Sequence, residues 1–287
     1  MRIVKLLKFF FILWIFYFLA IPSAYSHTNY GIYGQQEYSH YDKYKEYACR
    51  WGDNVYNDVK SDFKIFYGID NLIVLGDILF AAGILANTNL DRSIRDAWQQ
   101  GVRSKSTDSF FRIPEKFGGS GHLLVPLYAL SMITGYATDY TRFGNVIYHW
   151  GYRSLRTVIL GGIPAVILGR ALGGGRPIDG QDSKWQPFKF KTGVSGHSFF
   201  GAIPFITAAE MTDSRVARFG LLVLSTLPAL SRINSDNHYT SQALLGWSFA
   251  FLAGRAVYET DATKPYNYRF AVIPRDDGFM VAAHINF

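Results

Sequence analysis

Gly193-Val194-Ser195-Gly196-His197 is followed, past one apolar helix pair, by Ser231-Arg232-Ile233-Asn234-Ser235-Asp236-Asn237-His238, and the fold is read from this stretch. Just upstream lies Gly173-Gly174-Gly175-Arg176-Pro177. Two histidines, two arginines and a serine beside glycine are the parts needed to hold a phosphate and cleave it by covalent transfer. A phosphoryl group in transfer asks for charge stabilisation and in-line geometry above all. Arginine suits this because its planar fork donates two parallel hydrogen bonds and stays charged at any relevant pH. Ser195 and Gly196 precede the apolar run 199–209, which places them at a helix N-terminus, where free amides and the helix dipole favour an anion. One histidine can attack phosphorus while the other protonates the leaving oxygen. The scheme requires no metal and no cofactor.

The three blocks resemble the tripartite signature of the phosphatidic acid phosphatase type 2 superfamily, which includes lipid phosphatases, bacterial class A acid phosphatases and vanadium haloperoxidases. That signature is Lys, six residues, Arg-Pro; then Pro-Ser-Gly-His; then Ser-Arg, five residues, His, three residues, Asp. This chain has Arg176-Pro177, Ser195-Gly196-His197, and Ser231-Arg232 followed after five residues by His238. Three linked motifs in order, across roughly 120–258, are far more specific than any one of them. The resemblance implies an all-α fold, a single helical bundle, with His238 as nucleophile and His197 as the acid for the leaving group. It also implies Arg170, Arg176, Arg232, Ser195 and Gly196 as the phosphate-holding set.

The chain departs from the pattern at three places. The family lysine falls on Gly169, with Arg170 one residue late; Val194 replaces proline; and Gln242 stands where an aspartate orients the nucleophilic histidine. Glutamine can accept a hydrogen bond from the ring N–H but brings no charge to stabilise an imidazolium. Asp236, two residues before His238, is the other carboxylate at hand.

Outward from these blocks, the chain divides into a leader, an arm, a helical domain and a tail. Arg2, Lys5 and Lys8, a nearly unbroken apolar run over 9–20, and Ala24-Tyr25-Ser26 mark residues 1–26 as a secretory signal, the alternative being an uncleaved anchor. Removal of the leader lowers the formal net charge from +7 to +4. That mild excess, without a basic cluster interleaved with aromatics, does not indicate a nucleic-acid partner. Cys49 is the only cysteine and can form no internal disulfide. Residues 27–70 read as a tyrosine-rich arm on the core surface, with a helix starting near Asp53 or Asn54.

The helical domain, 71–260, carries apolar stretches at 71–87, 122–137, 157–172, 199–211, 219–230 and 239–258, with a polar helix over 90–103. Most are 12 to 17 residues long or hold Asp77, Glu210 or Arg255, whereas a spanning helix needs about 20 mostly apolar residues. The expectation is an exported periplasmic domain, soluble or peripheral to the envelope membrane, with an integral inner-membrane protein as the alternative. Gly119-Ser120-Gly121-His122 repeats the Ser-Gly-His triplet without a Ser-Arg…His partner and reads as a glycine turn. In the tail, 261–287, apolar residues at period two flank Pro274-Arg275-Asp276-Asp277-Gly278, the pattern of a β-hairpin.

The expected substrate is a phosphorylated lipid, phosphate or diphosphate, or a small phosphate ester. Two rivals remain: a vanadium haloperoxidase, since vanadate mimics the phosphoryl transition state, and a non-catalytic phosphate-binding envelope protein, for which Gln242 is the best support.

Overall fold

A computed structural model describes residues 54–285, apart from 120, 139–140, 264–267 and 276–277. The leader, residues 27–53 of the arm and Cys49 lie outside the described residues.

The chain forms α1 (54–66), α2 (Ile69–Asn87), α3 (Leu90–Gly101), α4 (Lys105–Gly119), α5 (Gly121–Ala137), α6 (Arg142–Leu172), α7 (Gly196–Glu210), α8 (Arg215–Asn234) and α9 (Thr240–Ala262). A single 3₁₀ turn, Pro177–Asp179, interrupts the loop between α6 and α7. Beyond the bundle, β1 (Tyr268–Arg275) and β2 (Gly278–Ile285) pair antiparallel, with Arg275 opposite Gly278.

Helix α9 is the axis. It is apolar nearly all round, as a helix enclosed by others must be, and Leu245, Phe249 and Leu252 are buried in it beside Ala243, Gly246, Ala250, Ala253 and Ala256. These small residues let α2, α6, α7 and α8 pack closely around it, the seam expected where helices meet without water to drive them together. From α7 come Phe199, Ile203 and Ile206, from α6 Leu160, and from α5 Tyr128, all essentially without exposure.

The outer face is the reverse of a soluble protein's. Ile73, Phe80 and Ile84 on α2, Leu123, Leu127, Leu130 and Ile133 on α5, Ile159, Ile163, Val166 and Ile167 on α6, and Phe219 and Leu224 on α8 are exposed. Apolar surface this extensive marks a membrane or protein contact. Three segments, Ile69–Asn87, Arg142–Asp179 and Arg215–Asn234, are long and apolar enough to cross a membrane. The soluble or peripheral domain expected from the sequence is therefore not supported, and the helices point to membrane association. The apolar runs understated the helices. The run 157–172 is only the second half of the 31-residue α6, and 219–230 is the middle of the 20-residue α8. Pro164 and Pro228 sit inside these helices without ending them.

Direction along the bundle decides where the chemistry can be. α2, α6 and α8 run one way, and α7 and α9 return. Thus the C-termini of α6 and α8 meet the N-termini of α7 and α9 at one end, with α3 and α4 laid across it. The opposite end is closed by charge. Arg156 bonds Asp62 at 2.6 Å and Asp261 at 2.7 Å, and Arg153 bonds Asp261 at 2.7 Å. α1, α6 and α9 are tied there.

Candidate active site

All three motif blocks arrive at the α3–α4 end, and backbone geometry explains how. α6 terminates at Gly173, whose φ of 63° is left-handed and favours glycine. A Cβ there would also collide with the Gln186 carbonyl oxygen. The chain then turns through Gly174 and Gly175 to Arg176 and the 3₁₀ turn. α7 starts at Ser195, whose hydroxyl caps the helix by accepting from the Ser198 amide at 3.3 Å. Ser195 can press onto α9 because Gly246 has no side chain in the way of its carbonyl. α9 starts immediately after His238.

Hydrogen bonds stitch the blocks together. The Ser195 amide donates to the Gln242 carbonyl at 3.0 Å, the Gln242 side-chain amide donates to the Gly175 carbonyl at 2.7 Å, and the Ile178 amide donates to the Asp236 carbonyl at 2.9 Å. The Tyr239 hydroxyl donates to the Gln181 carbonyl at 2.8 Å.

The orientation of His238 follows from Gln242. Gln242 Oε1 stands 2.9 Å from His238 Nδ1 and also accepts the Tyr239 amide at 3.2 Å, while its Nε2 is committed to Gly175. With the amide held this way round, Oε1 is the acceptor and His238 Nδ1 must carry the proton. Nε2 is then left with a lone pair and no bonded partner among the described residues. His238 and Gln242 are 3 % and 1 % exposed, so water does not compete for these bonds. Burial lowers the His238 pKa to about 3, with Arg232 and Arg176 adding to the effect and the Gln242 bond opposing it. The ring is a neutral base at any ordinary pH.

His197, in the first turn of α7, is half-buried, and its pKa falls to about 4 through burial and the charges of Arg232 and Arg176. The same two arginines act on both histidines. Each has a buried Nε–H without a hydrogen-bond partner, and Arg232 as a whole is 6 % exposed. Orphaned guanidinium donors are costly in a folded protein and are the mark of a site shaped for an anion. The amides of Gly196 and His197, ahead of the first intrahelical bond from Phe199 to Ser195, are two further donors. The Ser195 amide is spent on Gln242, but its hydroxyl, which only accepts at the cap, still has a proton to give.

Other predicted positions fall outside this cluster. Arg170 is exposed on the last turn of α6, and among the described residues no polar contact ties its side chain to the two histidines. Asp236 cannot orient His238: its carboxylate takes both Nε and Nη2 of Arg95, at 2.6 and 2.5 Å. His122 is exposed at the start of α5.

Three residues escaped the sequence reading. Asp91, fully buried on α3, accepts the Ser241 amide at 3.0 Å and the Ser241 hydroxyl at 2.5 Å, anchoring the first turn of α9. Arg95 fixes the loop before His238 through Asp236. Asp91, Arg95, Trp98 and Gln99 recur at helical spacing, and Trp98 and Gln99 bond Asn234 and the Ile233 carbonyl. That one-sided polar face was the available signal. Glu115 on α4 receives a hydrogen bond from Arg232 Nη1 at 2.8 Å, and nothing in the sequence pairs the two.

Comparison with protein families agrees with the motif reading. The model of the PAP2 superfamily matches residues 159–265. A solved transmembrane PAP2 type phosphatidylglycerolphosphate phosphatase from Bacillus subtilis is 17 % identical, with a TM-score of 0.46, over 66 % of this chain and 94 % of that one. No curated protein matches the chain.

Proposed function

We propose that the chain, whose residues 159–265 match the PAP2 superfamily model, is a membrane-associated phosphatase that hydrolyses a lipid-linked phosphate monoester or diphosphate through a phosphohistidine. The observation that carries this is the neutral, Nδ1-protonated His238, with a bare Nε2 and with Arg176 and Arg232, each holding an unsatisfied buried donor, near enough for their charges to act on the ring. In the first step Nε2 attacks phosphorus and the bond from phosphorus to the ester oxygen breaks. A protonated His197 gives its proton to that oxygen as it leaves. In the second step neutral His197 removes a proton from water, the hydroxide attacks phosphorus, the N–P bond breaks, and inorganic phosphate departs. Arg176, Arg232, the Gly196 and His197 amides and the Ser195 hydroxyl hold the equatorial oxygens; Arg170 joins them when its exposed side chain folds over the bound anion. Gln242 keeps the nucleophile's tautomer through both steps.

His197 needs a proton for the first step, yet the free protein holds it neutral above about 4. Burial is the larger cause and the charges of Arg232 and Arg176 the smaller; a bound phosphate dianion opposes both and shifts His197 towards its acid form. A lipid substrate is supported by position. Helices of 19 and 20 residues are about 30 Å long, the thickness of a bilayer core, which supports a site at headgroup depth. The basic, then apolar, start of the chain supports export.

The test is phosphate release by detergent-solubilised protein from a panel of lipid phosphates and soluble esters, with and without chelator. Turnover is expected on the lipid phosphates in both conditions. No release from any member would overturn the proposal.

A further inference from the structure

We propose that Glu115 sets the specificity of the phosphate site by occupying Arg232 until a ligand of higher charge displaces it. The inference rests on the phosphate-site reading above and concerns what that site rejects.

Arg232 comes from the Ser-Arg block, and its Nη1 is bonded to Glu115 at 2.8 Å, while its Nε has no partner. The guanidinium is thus half-engaged by a carboxylate that belongs to neither the motif blocks nor the helices carrying them. The two partners are unequally held. Arg232 is packed at 7 % side-chain exposure, whereas Glu115 is 38 % exposed and free to leave. It also has somewhere to go. A cavity of about 270 Å³ opens beside it between α4 and the end of α8, lined by Arg112, by Arg103 in its pair with Asp108, and by Glu115 itself among others. Arg112 is three residues back on the same helix, a spacing at which opposite charges pair. The carboxylate can therefore exchange one arginine for another without moving α4.

Charge decides which ligand wins Arg232. A carboxylate bears one negative charge, as does a phosphodiester, so a diester lipid gains little by displacing Glu115. A phosphate monoester dianion brings two charges and three equatorial oxygens, enough to fill both the Nη1 and the orphaned Nε positions. In a bilayer, phosphodiester headgroups vastly outnumber any monoester, and a phosphate pocket open to them all would be blocked.

The experiment uses the full-length protein in detergent, comparing wild type with Glu115→Gln and Glu115→Ala. Inhibition of lipid-phosphate turnover is measured with inorganic phosphate and with dioleoyl phosphatidylglycerol as the diester. Both variants are expected to lower the inhibition constant for phosphate and the KM about tenfold, equivalent to about 1.4 kcal/mol, with no matching rise in kcat. The diester is expected to inhibit the variants and barely affect wild type. Weaker phosphate inhibition, a fall in kcat at constant KM, or variants that no longer unfold cooperatively would make Glu115 a brace for Arg232 and overturn the inference alone. Wild type and variants all insensitive to phosphate would overturn the phosphate-site reading along with it.

Discussion

Replacing Gln242 with leucine removes three contacts from a site that water does not reach. His238 Nδ1–H and the Tyr239 amide lose their common acceptor, and the Gly175 carbonyl loses its donor. A buried polar group left unpaired costs about 1–3 kcal/mol, so Gln242→Leu is expected to lose several kcal/mol of stability. The kinetic effect is larger and separate. Without Oε1 nothing selects the His238 tautomer, and a triad histidine held in the wrong tautomer loses about 10⁴ in kcat in serine proteases. We expect Gln242→Leu to lower kcat by about 10³ or more. Gln242→Asp distinguishes this from simple destabilisation. It keeps an acceptor for the ring and adds a charge that favours the imidazolium, but it cannot donate to Gly175. It should therefore lose about 1–3 kcal/mol while holding kcat within about tenfold of wild type. Both variants are assayed for phosphate release after thermal unfolding confirms a folded state at the assay temperature. A folded Gln242→Leu with near-wild-type kcat would refute the orienting role.

Other consequences follow from the same geometry. His238→Ala removes the nucleophile and should abolish turnover on every substrate; residual activity at wild-type rate would place the nucleophile elsewhere. Asp91→Ala frees the Ser241 amide and hydroxyl at the start of α9 and should cost about 1.5–3 kcal/mol, read as a lower unfolding midpoint together with a lower kcat. Both histidines titrate far below their ordinary value of 6.5, at about 4 and about 3. Between 6.5 and those values the unfolded chain binds protons that the folded chain does not, so these residues make stability fall as pH falls. A His197→Gln/His238→Gln variant should show a smaller drop in unfolding midpoint from pH 7 to pH 4, and an identical drop would contradict the buried neutral rings. Finally, the exposed apolar belt predicts that extraction from membranes requires detergent, and release by salt alone would argue against it.

The bundle and the meeting of its motif blocks were legible because their signals are local. Ser195 before an apolar run is an N-cap in sequence and in space, and Gly173 is a helix stop. Gln242 four residues after His238 falls one helical turn along, as the 2.9 Å contact requires. Long-range partnerships were not legible. Asp91 and Ser241, Arg95 and Asp236, and Glu115 and Arg232 are each more than 100 residues apart, and only the folded bundle brings them together. Membrane association was misjudged for a related reason. Glu210 and Arg255 counted against spanning in sequence, yet Glu210 is paired with Arg218 and Arg255 with Glu259.

The central claim, that phosphate passes through His238, is tested most directly by trapping the intermediate. Purified wild-type protein is mixed with a labelled lipid phosphate, quenched in alkali, in which phosphohistidine survives, and mapped by peptide mass spectrometry. A phosphoryl group on His238, absent from His238→Ala and chased away by added unlabelled substrate, is the predicted result. Label on Ser195 or His197 instead, or steady turnover with no labelled peptide, would contradict it.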